Sequence, residues 1–148
     1  MADSEAMLGY GSTFSIATSA DSPTEYVSLG EIFSITPPSA TVDMVDVTHM
    51  QSVNRTREFI SGLIDAGECS LEINYIPGSL GDLELREILA LAVGVTRRRQ
   101  ALIRYPNGVT TTFMTELMSY EKSVPLDDKM TATVTFKVTG VETYGVIT

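Results

Sequence analysis

From Glu68 to Tyr75 the chain alternates without a break. Cys69, Leu71, Ile73 and Tyr75 fall on one side; Glu68, Ser70, Glu72 and Asn74 fall on the other. A period of two puts each set on its own face of a β-strand, one for a core and one for water. The same period returns in Ser12–Ser19, with Phe14, Ile16 and Thr18 on one face. It returns again in Thr41–Thr48, with Val42, Met44 and Asp46 set against Asp43, Val45 and Val47. In the last long strand Ala132, Val134, Phe136 and Val138 oppose Thr131, Thr133, Thr135 and Lys137. Tyr26–Thr36 also reads as a strand, interrupted at Gly30 by a bulge or a bend. Pro37 and Pro38 end it, because neither donates to a ladder. Asp21–Glu25 is turn chemistry, and Asn107-Gly108 between two strand patterns marks a hairpin.

One segment obeys a different period. After Pro77, the residues Leu85, Ile88, Leu89 and Ala92 recur at three and four, which predicts a helix over 80–93. Ser79 or Asp82 serves as N-cap, Asp82 and Glu84 complement the helix dipole, and Gly94 marks the exit. Arg97, Arg98 and Arg99 follow. They suit either a solvated edge near the helix C-terminus or salt bridges to an acidic neighbouring subunit. Strands, one helix, then strands predict a mainly β fold: an antiparallel sandwich or barrel with one flanking α-helix. A chain of 148 residues is one domain, 1–148, with a single core.

Charge and chemistry narrow the function. The net charge is −9, and the seven acids Asp3, Glu5, Asp21, Glu25, Glu31, Asp43 and Asp46 precede the first basic residue, Arg55. That half of the chain cannot offer the basic face that grips nucleic-acid phosphates. It serves solubility, or a surface that sits near a polyanion without gripping it. The lone Cys69 falls on an apolar face and reads as a small buried hydrophobe. The lone His49 has no partners at metal-ligand spacing. Glu84 with Glu87, and Asp127 with Asp128, are carboxylate pairs suited to capping and solvation. No catalytic constellation emerges, so neither enzymatic activity, a metal nor a cofactor is expected. No apolar run approaches a membrane span. The N-terminus lacks signal-peptide character, which suggests a protein made and kept in cytoplasm.

Between these patterns lies a stretch with no clean period, read as a long assembly loop over 48–67. It keeps Phe59, Ile60, Leu63 and Ile64 beside Gly62 and Gly67. Such side chains either tuck under the protein's own sheet or are buried against a neighbour, since an exposed apolar loop is a liability. The succession Asp46, Thr48, Arg57, Glu58, Phe59, Ile60, Gly62, Leu63, Asp65, Gly67, Asn74, Tyr75 and Pro77 resembles the major tail tube proteins of long, non-contractile-tailed bacteriophages. The likeness extends more diffusely from about Gly9 to Gly140.

That resemblance implies subunits that self-assemble as homo-hexameric rings with a continuous inner β-barrel, stacked into a tube. Double-stranded DNA would pass without sequence-specific binding. Tape measure and tail terminator or tail tip proteins would be partners, with no membrane. The expected location is the virion tail, after assembly in the host cytoplasm. Residues 1–10 are expected to form a flexible N-terminal arm, with no C-terminal immunoglobulin-like domain. The implied subunit interface is Arg55, Arg57, Glu58, Phe59, Ile60, Leu63 and Asp65. The implied channel-facing residues are Glu68, Glu72, Glu116, Thr133 and Thr135, since like charge lets DNA slide. Inner tubes of contractile secretion systems share the fold and are the alternative; a non-phage β-barrel binding protein is a third.

Overall fold

The computed structural model describes residues 4–18, 25–91 and 97–146. Most of the Asp21–Glu25 turn, and Ala92 and Gly94 of the predicted helix and its exit, lie outside them. The elements are β1 (Thr13–Ala17), β2 (Tyr26–Ser28), β3 (Ile32–Thr36), β4 (Thr41–Asp46), β5 (Phe59–Asp65), β6 (Glu68–Asn74), α1 (Leu80–Leu89), β7 (Arg98–Arg104), β8 (Val109–Ser123) and β9 (Thr131–Val146). Seven strands form one antiparallel sheet in the order β2-β1-β7-β8-β9-β6-β3, and β4-β5 form a separate hairpin. The fold is mainly β with one helix, as the periods require.

The sheet is curled but not closed. Its two edge strands, β2 and β3, are joined by Leu29, Gly30 and Glu31 alone. Four Cα steps of about 3.8 Å span at most ~15 Å. Seven strands laid flat would put those edges about 29 Å apart, six spacings of ~4.8 Å. The chain therefore bends back on itself at Gly30, whose φ is +90°. Gly30 is a bend, not a bulge. Leu29 N–H donates to Phe14 O at 3.0 Å on one side of the gap, and Asn74 N–H to Glu31 O at 2.8 Å on the other.

The curl encloses the core that the alternation predicts. Phe14, Ile16, Cys69, Leu71, Val134 and Phe136 are fully buried, and Ile73, Tyr75, Ala132 and Val138 nearly so. Phe14 stacks on Phe136 at 5.5 Å and meets Phe113 edge-on at 6.3 Å. Each such side chain contributes about 1.5–3 kcal/mol of burial. The turn between β7 and β8 carries Pro106, Asn107 and Gly108 between the hydrogen-bonded pair Tyr105 and Val109. Gly108 takes φ +89°, and Asn107 Oδ1 accepts from Val109 N–H at 3.1 Å.

The helix seals one flank. Ser79 is its N-cap and accepts from Asp82 N–H at 3.3 Å, while Asp82 Oδ2 accepts from Gly78 N–H at 3.0 Å. Both residues proposed for the cap take part, with Asp82 reaching the N–H of Gly78, one residue before the N-cap. Gly81, Leu85 and Ile88 face the core, but Leu89 is exposed, so the apolar stripe is narrower than its spacing suggests. Gly81 allows a close approach: a Cβ there would lie 3.1 Å from Leu29 Cα and 3.2 Å from Ser28 O, so the backbone beside it would have to give by a few tenths of an ångström. Asp82 Oδ1 accepts from the Tyr120 hydroxyl at 2.8 Å, and Arg86 bridges Asp82 to the Tyr75 hydroxyl. The arginine triplet divides. Arg97 donates to Leu91 O at 2.6 Å, Arg98 lies on the polar face of β7, and Arg99 is buried with its guanidinium on Arg98 O. A solvated edge does not describe Arg99.

Candidate assembly surfaces

The stretch read as a loop over 48–67 is a strand from Phe59 to Asp65, paired with β4, and only Val47–Glu58 forms a connection. Its period was hidden because both ribbon faces carry apolar residues. Cross-strand partners place Val42, Met44, Phe59 and Ile64 on one face with Asp46 and Ser61; Val45 and Ile60 lie on the other with Asp43. β4 keeps the alternation its sequence shows; the register shift falls in β5, where Gly62 and Leu63 together oppose Asp43. All thirteen strand residues are exposed, with Phe59 at 53%, Ile60 at 55% and Leu63 at 83%. They do not tuck under the protein's own sheet.

The root of this hairpin is tied to the main sheet. Asp65 Oδ1 accepts from Gly67 N–H at 2.9 Å and pairs with Lys137 Nζ at 3.3 Å. These contacts, the Gly67 amide first, lower the Asp65 carboxyl pKa. Val138 N–H donates to Gly67 O at 3.0 Å. Gly67 takes φ +81°, and a Cβ there would sit 2.3 Å from Ser39 O. A groove of about 380 Å³ separates the root from the far end of β9, lined by Pro38, Ala40, Ile64, Ala66, Val141 and Tyr144 among others.

The tip is ordered by its own polar groups. Thr48 Oγ1 accepts from Glu58 N–H at 2.7 Å, and Asp46 Oδ1 accepts from Thr48 N–H at 2.8 Å. The Glu58 carboxylate takes the Ser52 hydroxyl and lies 3.3 Å from His49 Nε2. Asn54 and Arg55 adopt φ of 55° and 59°. Of the interface candidates, Phe59, Ile60 and Leu63 line the ribbon, while Glu58 and Asp65 hold its tip and root. Arg55 and Arg57 stand exposed at the tip.

The second candidate surface is the outer face of the main sheet. Glu68, Glu72, Glu116, Thr133 and Thr135 all lie on it. Glu72 faces Thr133, which faces Glu121 in turn. The register also sets Glu68, Lys137, Glu116 and Arg98 side by side across four strands. This alternation of charge could not be read before the pairing was known, so the face is more balanced than its acids alone suggest. Among the described residues no three His, Cys, Asp or Glu side chains form a group for a metal ion, and no helix is long and apolar enough to cross a membrane.

A curled antiparallel sheet with a capped flanking helix and a projecting apolar hairpin defines a tube subunit of the phage-tail kind. The chain is similar to a tail protein of a gene transfer agent particle refined helically with C6 symmetry. The TM-score is 0.75 at 14% identity, over 95% of this chain and 100% of that one. It is similar to a chain of the PVC sheath-tube complex of an extracellular contractile injection system, with TM-score 0.71 and 12% identity over 97% and 93%. The SPP1 tail tube gives 0.66 and 11% over 96% and 80%. At these identities the likeness is one of fold. No curated protein matches. The family described as "Lambda phage tail tube protein, TTP" matches residues 9–145, and the chain belongs to it.

Proposed function

We propose that this protein is the structural subunit of a phage tail tube, forming hexameric rings that stack around a channel for DNA during ejection. The observation that carries the reading is the hairpin, apolar on both faces and covered by nothing in its own chain. A two-stranded ribbon is marginal in water, so a neighbouring copy gives it its cover. The long β8–β9 pair supports ring closure. The β7 register on β8 ends at Arg98 opposite Glu116, yet β8 runs on to Ser123. The β6 register on β9 ends at Glu68 opposite Lys137, yet β9 runs on to Val146. These two offset half-edges suit head-to-tail addition of one subunit's sheet to the next.

In this reading the outer polar face lines the channel, and Glu68, Glu72, Glu116, Thr133 and Thr135 pass DNA without holding it. The protein catalyses nothing. It is built into the virion tail from the host cytoplasm, alongside tape measure and terminator or tip proteins. A tube of a contractile injection system is the second reading, favoured by the fold likeness to the PVC tube; the family match over residues 9–145 favours the phage tail. Electron microscopy of the purified protein tests the proposal: rings or tubes with a central channel are expected, and particles that stay monomeric at high concentration would overturn it.

A further inference from the structure

We propose that the hairpin tip of one copy seats on the β8–β9 turn of the next copy along the tube, with Arg55 and Arg57 facing Asp127 and Asp128. The proposal rests on the tube reading and names the surface that receives the hairpin.

Position comes first. The hairpin is rooted where Glu68 pairs with Lys137. The β8–β9 turn lies at the other end of the same strands, where Asn74 pairs with Thr131 and Tyr75 N–H donates to Met130 O. Seven residues of β9 separate Met130 from Lys137, about 23 Å at ~3.3 Å per residue. The hairpin and the turn are two different surfaces of the subunit, so a contact between them is heterologous, and repeated by translation it builds an open-ended stack.

Chemistry then matches the two ends. At the tip Met50 is fully exposed and Val53 largely so. Among the described residues no ion pair engages Arg55 or Arg57. The tip's own acids are occupied, Glu58 by Ser52 and His49, and Asp46 by Thr48. The tip therefore presents apolar surface with positive charge. The turn presents the reverse sign: Val124 and Leu126 are exposed beside Asp127 and Asp128. Its one cation, Lys129, is drawn over the Phe33 ring at 4.4 Å. Another exposed apolar strip, Leu80, Leu83 and Leu89 on α1, has the exposed Arg86 guanidinium at its middle, which would meet an incoming arginine with like charge. The tip is also pre-formed: Ser52 and His49 are tied to Glu58, and Asn54 and Arg55 lie in the left-handed region. Pre-formed knobs lose less freedom on docking.

The test reverses charge at both ends. Arg55→Glu with Arg57→Glu, and separately Asp127→Arg with Asp128→Arg, should each raise the protein concentration needed for polymer by about tenfold or more in sedimentation and electron microscopy. All four positions are exposed, so circular dichroism should match the parent. Combining the four changes should restore assembly. In parallel, a Met50→Cys copy mixed with a Leu126→Cys copy should cross-link through a short bis-maleimide. A combined variant as poor as either half overturns the pairing, as does cross-linking of Met50→Cys to Leu83→Cys in place of Leu126→Cys. A parent that forms tubes indifferent to these changes refutes the acceptor alone; a parent that forms no rings or tubes refutes the tube reading itself.

Discussion

The Tyr120 hydroxyl donates to Asp82 Oδ1 at 2.8 Å, fastening β8 to the first turn of the only α-helix among the described residues. Asp82 is nearly buried and also serves Gly78 N–H and Arg86. Tyr120→Phe is expected to cost about 1.5–3 kcal/mol, the usual worth of a hydrogen bond to a charged group. Asp82→Ala should cost more, because it strands three donors at once. Urea unfolding of the two variants checks the order. An Asp82→Ala protein no weaker than Tyr120→Phe would show that the helix is held by Leu85 and Ile88 alone.

The same carboxylate makes the fold acid-sensitive. Burial, the largest single influence, pushes the Asp82 pKa up, but bonds from Gly78, Tyr120 and Arg86 outweigh it and leave the group below its ordinary value. A carboxyl lowered by folding adds stability above its unfolded pKa of about 3.9, and that stability is lost as pH falls through the folded value. Asp65 shifts in the same direction. The melting temperature should therefore drop below about pH 4. Asp82→Asn should be less stable at neutral pH and lose less on acidification. Equal losses in parent and variant would assign the acid limb to other groups.

For Phe59→Ala the expectation separates folding from assembly. A buried phenylalanine truncated to alanine costs ~3–5 kcal/mol. Phe59 is 53% exposed on the hairpin, so the subunit should melt as the parent does. Polymerisation should fail, measured by light scattering on the same preparation. A collapse of the thermal melt would put Phe59 in the subunit's own core.

The main sheet was legible because one face is buried. Burial forces apolar residues onto every second position, and Cys69–Tyr75 and Ala132–Val138 show it plainly. The hairpin was not legible as strand, because neither face of β5 is buried by its own chain. Its apolar residues fill both faces, and an extra residue at Gly62 and Leu63 breaks what alternation remains. The burial of Arg99 was hidden for another reason. Three consecutive arginines look alike in sequence, and only the pleat turns the middle position of Arg98–Gln100 inward. Likewise the Glu68, Lys137, Glu116 and Arg98 row exists only once the strand order is known.

Cys69 offers a probe of the closed core. Burial first, and Glu142 second, push its thiol pKa up to about 12. A maleimide or disulfide reagent at pH 8 should leave the native protein unlabelled and react once denaturant is added. Rapid native labelling would mean that β6 opens from β9 far more often than its ladder allows.

Glu72 tests the channel. It is exposed on the outer face between Ser34 and Thr133. Glu72→Lys would add a ring of positive charge at each layer, and each new phosphate contact steepens the salt dependence of DNA binding by about 0.9. Tubes should form, and DNA ejection should slow at low salt and recover at high salt. Ejection at the parent rate at every ionic strength would mean that Glu72 faces away from DNA.

The hairpin meets the rest of its own chain chiefly at the root, through Asp65, Gly67, Lys137 and Val138. Selection on this chain is thereby split in two. A change in Leu71 or Phe136 is judged by whether one molecule folds. If the hairpin packs on a neighbour as proposed, a change in Ile60 or Leu63 is judged by whether that molecule suits its neighbour. On the proposed reading, hairpin and receiving surface are free to drift together while the curled sheet stays as it is, so a lineage can alter which subunits it accepts without remaking the subunit.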